Sequence, residues 1–126
     1  MDQPSMLELV EAVKSFIESK AIPELKGHTA FHARVAANAL GIVAREIAEF
    51  PQAAAAEKER LVALLGHDGS LEDLNRELCA RLRAGSLSLD DDALREHLEA
   101  TTIAKVSIDQ PNYSGLKIAL MDAALI

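Results

Sequence analysis

Two sets of side chains in this sequence could carry chemistry, and the first is built from histidine and aspartate. His67 and Asp68 are adjacent in the segment "LLGHDG", with His32 upstream and Asp109 downstream. Imidazoles and carboxylates can together hold a divalent metal ion, which lowers the pKa of a bound water. The chemistry that such a set would supply is metal-dependent hydrolysis of a phosphate ester.

The order His, His-Asp, Asp resembles that of the HD-domain phosphohydrolases, which are also all-helical. In that family the His-Asp pair lies on a helix, whereas Gly66 and Gly69 flank the pair here and favour a loop. The other interpretation is a turn between two helices. Gly66 then ends one helix and Ser70 caps the next, with the bend between them. We favour the turn, and expect no catalytic residue, no metal and no cofactor.

The second set is a polar stripe on an apolar helix, "FHARVAANALGIVARE", residues 31–46. Arg34, Asn38 and Arg45 fall on one face at about 100° per residue. These side chains could pair with carboxylates of other helices and fix the helix register. They could also line a cleft for an anionic ligand, with Lys105 as a further cation and Gly41 allowing close approach. Solvent exposure is the third possibility. The candidate carboxylate partners are Glu8, Glu46, Glu77 and Asp109.

The composition limits the classes of partner. The 126 residues include 20 acidic and 13 basic side chains, for a net charge of -7, which argues against binding to nucleic acid or an anionic membrane. We see no signal peptide or membrane span, and expect a cytoplasmic protein. The single cysteine, Cys79, is expected to be a small buried residue of a helix.

Helical periodicity throughout predicts an all-α fold, a five-helix bundle with a long central second helix and a short C-terminal tail helix. The first helix is predicted to begin near Pro4, with Ser5 and Glu8 as a capping box, and to stop at Pro23. Its predicted inward stripe is Leu9, Val10, Val13, Phe16 and Ile17.

The second helix is predicted over residues 29–49, enclosed by neighbours on most sides. A third is predicted to begin at Pro51 and a fourth at Ser70, while a fifth ends before Pro111. We expect residues 1–114 to form a single helical domain. Residues 115–126 are then an apolar tail that docks on the core or on a partner subunit.

Three segments carry a resemblance to a small bacterial family of unknown function: "FHARVAANALGIVARE", "LLGHDGSLEDLNRELCARLRAG" and "LEATTIAKVSIDQPNYS". The resemblance extends from residue 5 to about residue 114. The residues that carry it are Arg34, Asn38, Arg45, Glu46, Asn75, Arg76, Leu78, Lys105, Asp109, Pro111 and Tyr113.

Members of that family are typically encoded beside acyl-CoA dehydrogenases and kinases similar to aminoglycoside phosphotransferases. The resemblance therefore implies a non-catalytic accessory or interaction module for a kinase-like or acyl-CoA-metabolising enzyme, and a homodimer is possible. The alternatives are binding of a small anionic metabolite, such as a phosphate or CoA ester, and HD-like phosphohydrolysis.

Overall fold

The computed structural model describes residues 3–124, with side chains through Asp122, and this range is helical with no strand. A π-helical turn (Ile17–Ala21) and a 3-10 turn (Ile22–Glu24) link the first two helices. The five helices are α1 (Met6–Phe16), α2 (Gly27–Leu65), α3 (Leu71–Ala84), α4 (Asp92–Asp109) and α5 (Ser114–Ala124). The predicted all-α class, long second helix and short C-terminal helix are confirmed. No helix in this range is long and apolar enough to cross a bilayer.

Two helix starts follow from their capping side chains. At α1 the Ser5 hydroxyl accepts from the Glu8 backbone N–H at 3.1 Å, and the Glu8 carboxylate accepts from the Ser5 N–H at 3.3 Å, which confirms the predicted capping box. At α3 the Ser70 hydroxyl accepts from the Asp73 N–H at 3.1 Å. Gly85 ends α3 with φ +77°, a left-handed conformation that glycine adopts without strain.

The helix α2 is 39 residues long and runs through Pro51, so the predicted break at that residue is wrong. Proline lacks the N–H that would bond to the carbonyl of Ile47, which costs a helix interior about 3 kcal/mol. The sequence after Pro51 is "QAAAAEKERL", and alanine, glutamate, lysine, arginine and leucine are the strongest helix formers. Their propensity and the packing of the second half of α2 outweigh the missing bond.

Replacing Pro51 by alanine is expected to raise the free energy of unfolding by about 2 kcal/mol. The restored backbone bond contributes about 3 kcal/mol, and the greater entropy of the unfolded chain offsets about 1. Denaturant unfolding followed by far-UV circular dichroism measures the difference. Pro23→Ala is the control, because Pro23 lies at the start of a 3-10 turn and interrupts no interior bond. No gain in Pro51→Ala would contradict a continuous α2.

The chain divides into two compact units, Met1–Phe50 and Pro51–Ile126, and α2 contributes to both. The core of the second unit is a leucine cluster from α2, α3 and α4, and α5 packs on α4. Leu74 and Leu78, one turn apart on α3, are buried in this cluster. Its members are Leu61, Leu65, Leu74, Leu78 and Leu94. The single domain predicted for residues 1–114 stays a prediction.

The first unit is built differently, because its fully buried positions in residues 3–50 are all small. They are Ala30, Ala37 and Gly41 of α2. A Cβ atom added at Gly41 would lie 3.2 Å from Cε of Lys14, so the absence of a side chain allows the Lys14 stem of α1 to lie against α2. In the first unit, small residues of α2 therefore allow other side chains to lie close to the helix backbone. None of the large apolar side chains described in this unit is fully buried.

Candidate functional site

The helix α1 exposes a row of large apolar side chains, which we call the α1 stripe. It consists of Met6, Leu9, Val13 and Phe16, and these side chains are between 45% and 64% exposed. Leu9, Val13 and Phe16 had been predicted to point inward, and this prediction is wrong. The half-buried residues of α1 occupy the neighbouring face instead: Leu7, Val10 and Lys14.

The first half of α2 is also less enclosed than the sequence predicted. Phe31, Val35 and Val43 are exposed, as is Phe50 at the end of the first unit. All three phenylalanines of the chain therefore face solvent. Isolated exposed apolar residues are normal, whereas a row of them on one helix is a candidate binding surface. This stripe is the strongest functional feature of the first unit.

The polar stripe predicted on α2 is placed on the first unit, with its members in different environments. Arg34 and Asn38 are exposed, and neither side chain forms a hydrogen bond or ion pair with any described residue. Arg45 is half-buried. The Lys14 side chain lies in the space beside Gly41 that the prediction reserved for a ligand. Because Arg34 is exposed, it is neither part of a buried ion pair nor a wall of an enclosed cleft.

The candidate carboxylates and the third cation, Lys105, are spread over both units. Glu8 caps α1 and Glu46 is exposed on α2. In the second unit, Asp109 is exposed at the end of α4 and Lys105 is exposed one turn earlier. Glu77 forms ion pairs with His67 at 2.7 Å and with Arg81 at 2.6 Å. A role for these residues in an anion site with Arg34 stays a prediction.

The segment "LLGHDG" is the turn between α2 and α3. Gly66 has φ +85°, directly after the last residue of α2, and Ser70 caps α3 as predicted. The two ring nitrogens of His67 contact the Asp68 carbonyl oxygen at 3.0 Å and the Glu77 carboxylate at 2.7 Å. These two acceptors raise the pKa of His67. The backbone N–H of Gly69 and the nearby Lys58 ammonium lower the pKa of Asp68.

The metal-ligand set is not assembled in the described part of the chain. There, no three histidine, cysteine, aspartate or glutamate side chains lie close enough together to hold a metal ion. His32 is on α2 of the first unit, while His67 and Asp68 belong to the turn of the second unit. The geometry gives no support to HD-like hydrolysis.

Two side chains had environments that the sequence analysis did not anticipate. Cys79 is exposed on α3, so its predicted burial is wrong. His97 is buried on α4 with only 2% of its surface exposed, and its Nδ1 accepts from Nε of Arg60 at 3.0 Å. Burial is the main cause that lowers the pKa of His97, and the nearby Arg60 charge lowers it further. The Glu57 carboxylate raises the pKa but does not cancel these two effects. The spacing of Leu94, His97, Leu98 and Thr101 was the available signal for an inward histidine.

The stripe itself was signalled by an excess of apolar residues. The helix α1 carries more of them than one buried face can hold, since Leu7, Val10 and Ile17 already fill the inner face. Apolar residues beyond those of the inner face remain exposed on such a helix.

These features define a small all-helical protein with an exposed apolar helix face and, among the described residues, no cluster of metal-ligating side chains. The chain belongs to a family described as a domain of unknown function, DUF6285, whose model matches residues 23–113. The match contains α2, α3 and α4, and α1 lies before it. No curated protein and no solved structure gives a significant match.

Proposed function

We propose that the protein is a non-catalytic interaction module and that its α1 stripe binds a second copy of the chain. The observation that carries the proposal is the exposure of Met6, Leu9, Val13 and Phe16 on one helix. Burying a large aliphatic or aromatic side chain contributes about 1.5–3 kcal/mol, so covering such a row drives association. The first unit, which fully buries only small residues, would gain its large buried side chains from the partner.

The spacing of the stripe is that of a helix-pairing seam. Steps of three, four and three residues connect Met6, Leu9, Val13 and Phe16, as in positions a and d of a heptad. Such a seam packs against a similar seam on another helix. A two-fold dimer would use the same surface on both copies, which a self-complementary apolar row satisfies.

The residues beside the seam favour an identical partner. In heptad terms the flanking e and g positions within α1 are Val10 and Ala12, and neither is charged. Two copies can therefore approach without like charges meeting at the seam, although each chain has a net charge of -7. The charged residues of α1 lie away from the seam, with Glu8 at a c position, Glu11 at f and Lys14 at b.

Sedimentation equilibrium across a concentration series tests the proposal. The parent protein is expected to form dimers, and Leu9→Glu/Phe16→Glu to remain monomeric because two carboxylates in each copy meet at the seam. Both side chains are exposed, so the substitutions leave the fold intact, and circular dichroism verifies this.

The matched control is Leu89→Glu/Ile118→Glu, which adds the same charge at exposed apolar positions of the second unit. It is expected to dimerise like the parent. A parent that stays monomeric at every concentration contradicts self-association, as does a stripe variant that still dimerises.

The resemblance adds a further partner class, a kinase-like or acyl-CoA-metabolising enzyme, for which this module would be the accessory subunit. That assignment rests on the resemblance alone, and a cytoplasmic location is proposed with it. Mixing a purified enzyme of either class with the parent and with the stripe variant would test the assignment.

A further inference from the structure

A groove in the second unit combines exposed cations with an apolar floor. It has a volume of about 780 Å³, within the range of small-molecule sites. One face of α3 forms most of its wall, and Lys105 of α4 closes the other side. The lining residues are Leu71, Glu72, Asn75, Arg76, Cys79, Arg83 and Lys105.

The charge in the groove is opposite to that of the chain. Three cations, Arg76, Arg83 and Lys105, face one carboxylate, that of Glu72, in a protein of net charge -7. Arg76 is neutralised on its own helix, because its guanidinium lies 2.6 Å from the Glu72 carboxylate. Neither Arg83 nor Lys105 forms an ion pair with a described residue. Two positive charges therefore remain available.

The remaining lining residues supply shape and an apolar surface. The amide nitrogen of Asn75 donates to the Glu57 carboxylate at 2.9 Å and to the Leu71 carbonyl oxygen at 3.2 Å, which fixes α3 against α2. Leu71 and Cys79 contribute apolar surface between the cations. The walls belong to regular helices that pack on the leucine core, so the groove is preformed.

We propose that this groove binds a small organic anion, a phosphate monoester or carboxylate that carries an apolar chain or ring. Arg83 and Lys105 would hold the anionic group, since neither has an ion-pair partner among the described residues. An Arg fork or a Lys ammonium is well suited to phosphate and carboxylate. The apolar part would lie on Leu71 and Cys79. All of these residues lie inside the segment matched by the family model. The groove and the α1 stripe share no residue, so the two proposals rest on different observations.

Cys79 makes the test specific to the groove, because it is the only cysteine of the chain and is exposed. The probe is hexyl phosphate, and the readout is the rate at which iodoacetamide alkylates Cys79, followed by intact mass. Hexyl phosphate is expected to slow alkylation in a saturable way, while hexanol, which lacks the anionic group, does not at equal concentration.

The groove variant is Arg83→Gln/Lys105→Gln, in which the apparent affinity for hexyl phosphate is expected to fall by about tenfold or more. Affinity is taken from the ratio of alkylation rates with and without the probe, which corrects for altered thiol reactivity. The matched control, Arg95→Gln/Lys117→Gln, removes the same charge outside the groove and is expected to match the parent.

Three results would overturn the proposal: no protection of Cys79 in the parent, equal protection by hexanol, or full protection in the groove variant. The monomeric variant Leu9→Glu/Phe16→Glu is expected to bind hexyl phosphate like the parent. The two proposals can therefore fail independently.

Discussion

Leu94→Ala is expected to lower the free energy of unfolding by about 3 kcal/mol. Leu94 is 0% exposed and lies in the cluster that joins α4 to Leu61 of α2 and Leu74 of α3. Truncation removes the transfer free energy of the side chain and leaves a cavity in a site where three helices meet. Urea unfolding at a fixed protein concentration, followed by circular dichroism, measures the loss.

The control for this substitution is Leu89→Ala, the same chemical change five positions earlier in the chain. Leu89 is 63% exposed, so its truncation is expected to change stability by no more than about 0.5 kcal/mol. Similar losses in both variants would contradict the placement of the core. Leu94 lies in α4, where alanine is the better helix former, so helix propensity cannot account for a loss of stability in Leu94→Ala.

The second large effect is expected at His97, where leucine should cost about 3 kcal/mol. The imidazole Nδ1 accepts from Arg60, whose guanidinium also donates to the Thr101 hydroxyl at 3.1 Å. Leucine fills similar space but leaves the partly buried Arg60 guanidinium without its acceptor. The variant then loses the desolvation free energy of that charged donor. His97→Asn keeps an acceptor oxygen near the position of Nδ1 and is expected to cost less than the leucine variant.

The same histidine makes stability depend on pH in a defined direction. Its folded pKa lies below the ordinary value of 6.5, so the unfolded chain binds this proton more readily. Its contribution to stability is therefore fully present above pH 6.5 and is lost as pH falls from there towards the lowered pKa. His97→Asn removes this dependence. Denaturant unfolding is measured between pH 6.5 and pH 4.5. The lower limit is the ordinary pKa of Glu77, so most of the titration of that carboxylate lies below this range.

His67 acts in the opposite direction and has to be removed from the comparison. Its pKa is raised, so its contribution is present below 6.5 and is lost as pH rises through the folded value. Both the parent and His97→Asn are therefore measured with His67→Gln. If His97→Asn, in this background, loses stability with acid as steeply as the parent, the buried neutral imidazole is not its cause.

The helices could be predicted where the signal is local. Ser5 with Glu8, and Ser70 with Asp73, have the spacing that satisfies the first free N–H groups of a helix, and both starts are confirmed. Pro111 likewise follows the end of α4 closely, as predicted. Pro51 is the exception, because its local cost is outweighed by the helix propensity of the following residues.

The orientation of each apolar face was decided only by tertiary structure. On α1, periodicity shows that Leu9, Val10 and Phe16 share a broad apolar surface, but it does not say which part another helix covers. The close contact of Lys14 with Gly41 settles this, since it places the neighbouring face inward and leaves the α1 stripe in solvent. Burial depends on partners that are distant in sequence, which no local pattern records.

For the candidate binding residues too, the sequence gives the residue types and the tertiary structure decides which of them lie together. The sequence by itself determined an acidic all-helical chain with particular cations, among them Arg83 and Lys105, and with one cysteine. Only the tertiary structure brought Lys105 of α4 to the face of α3 that carries Arg83 and Cys79, and it placed the Arg34 stripe on the other unit. Charge and propensity belong to single residues and their neighbours in sequence, whereas a groove exists only when separate helices pack side by side.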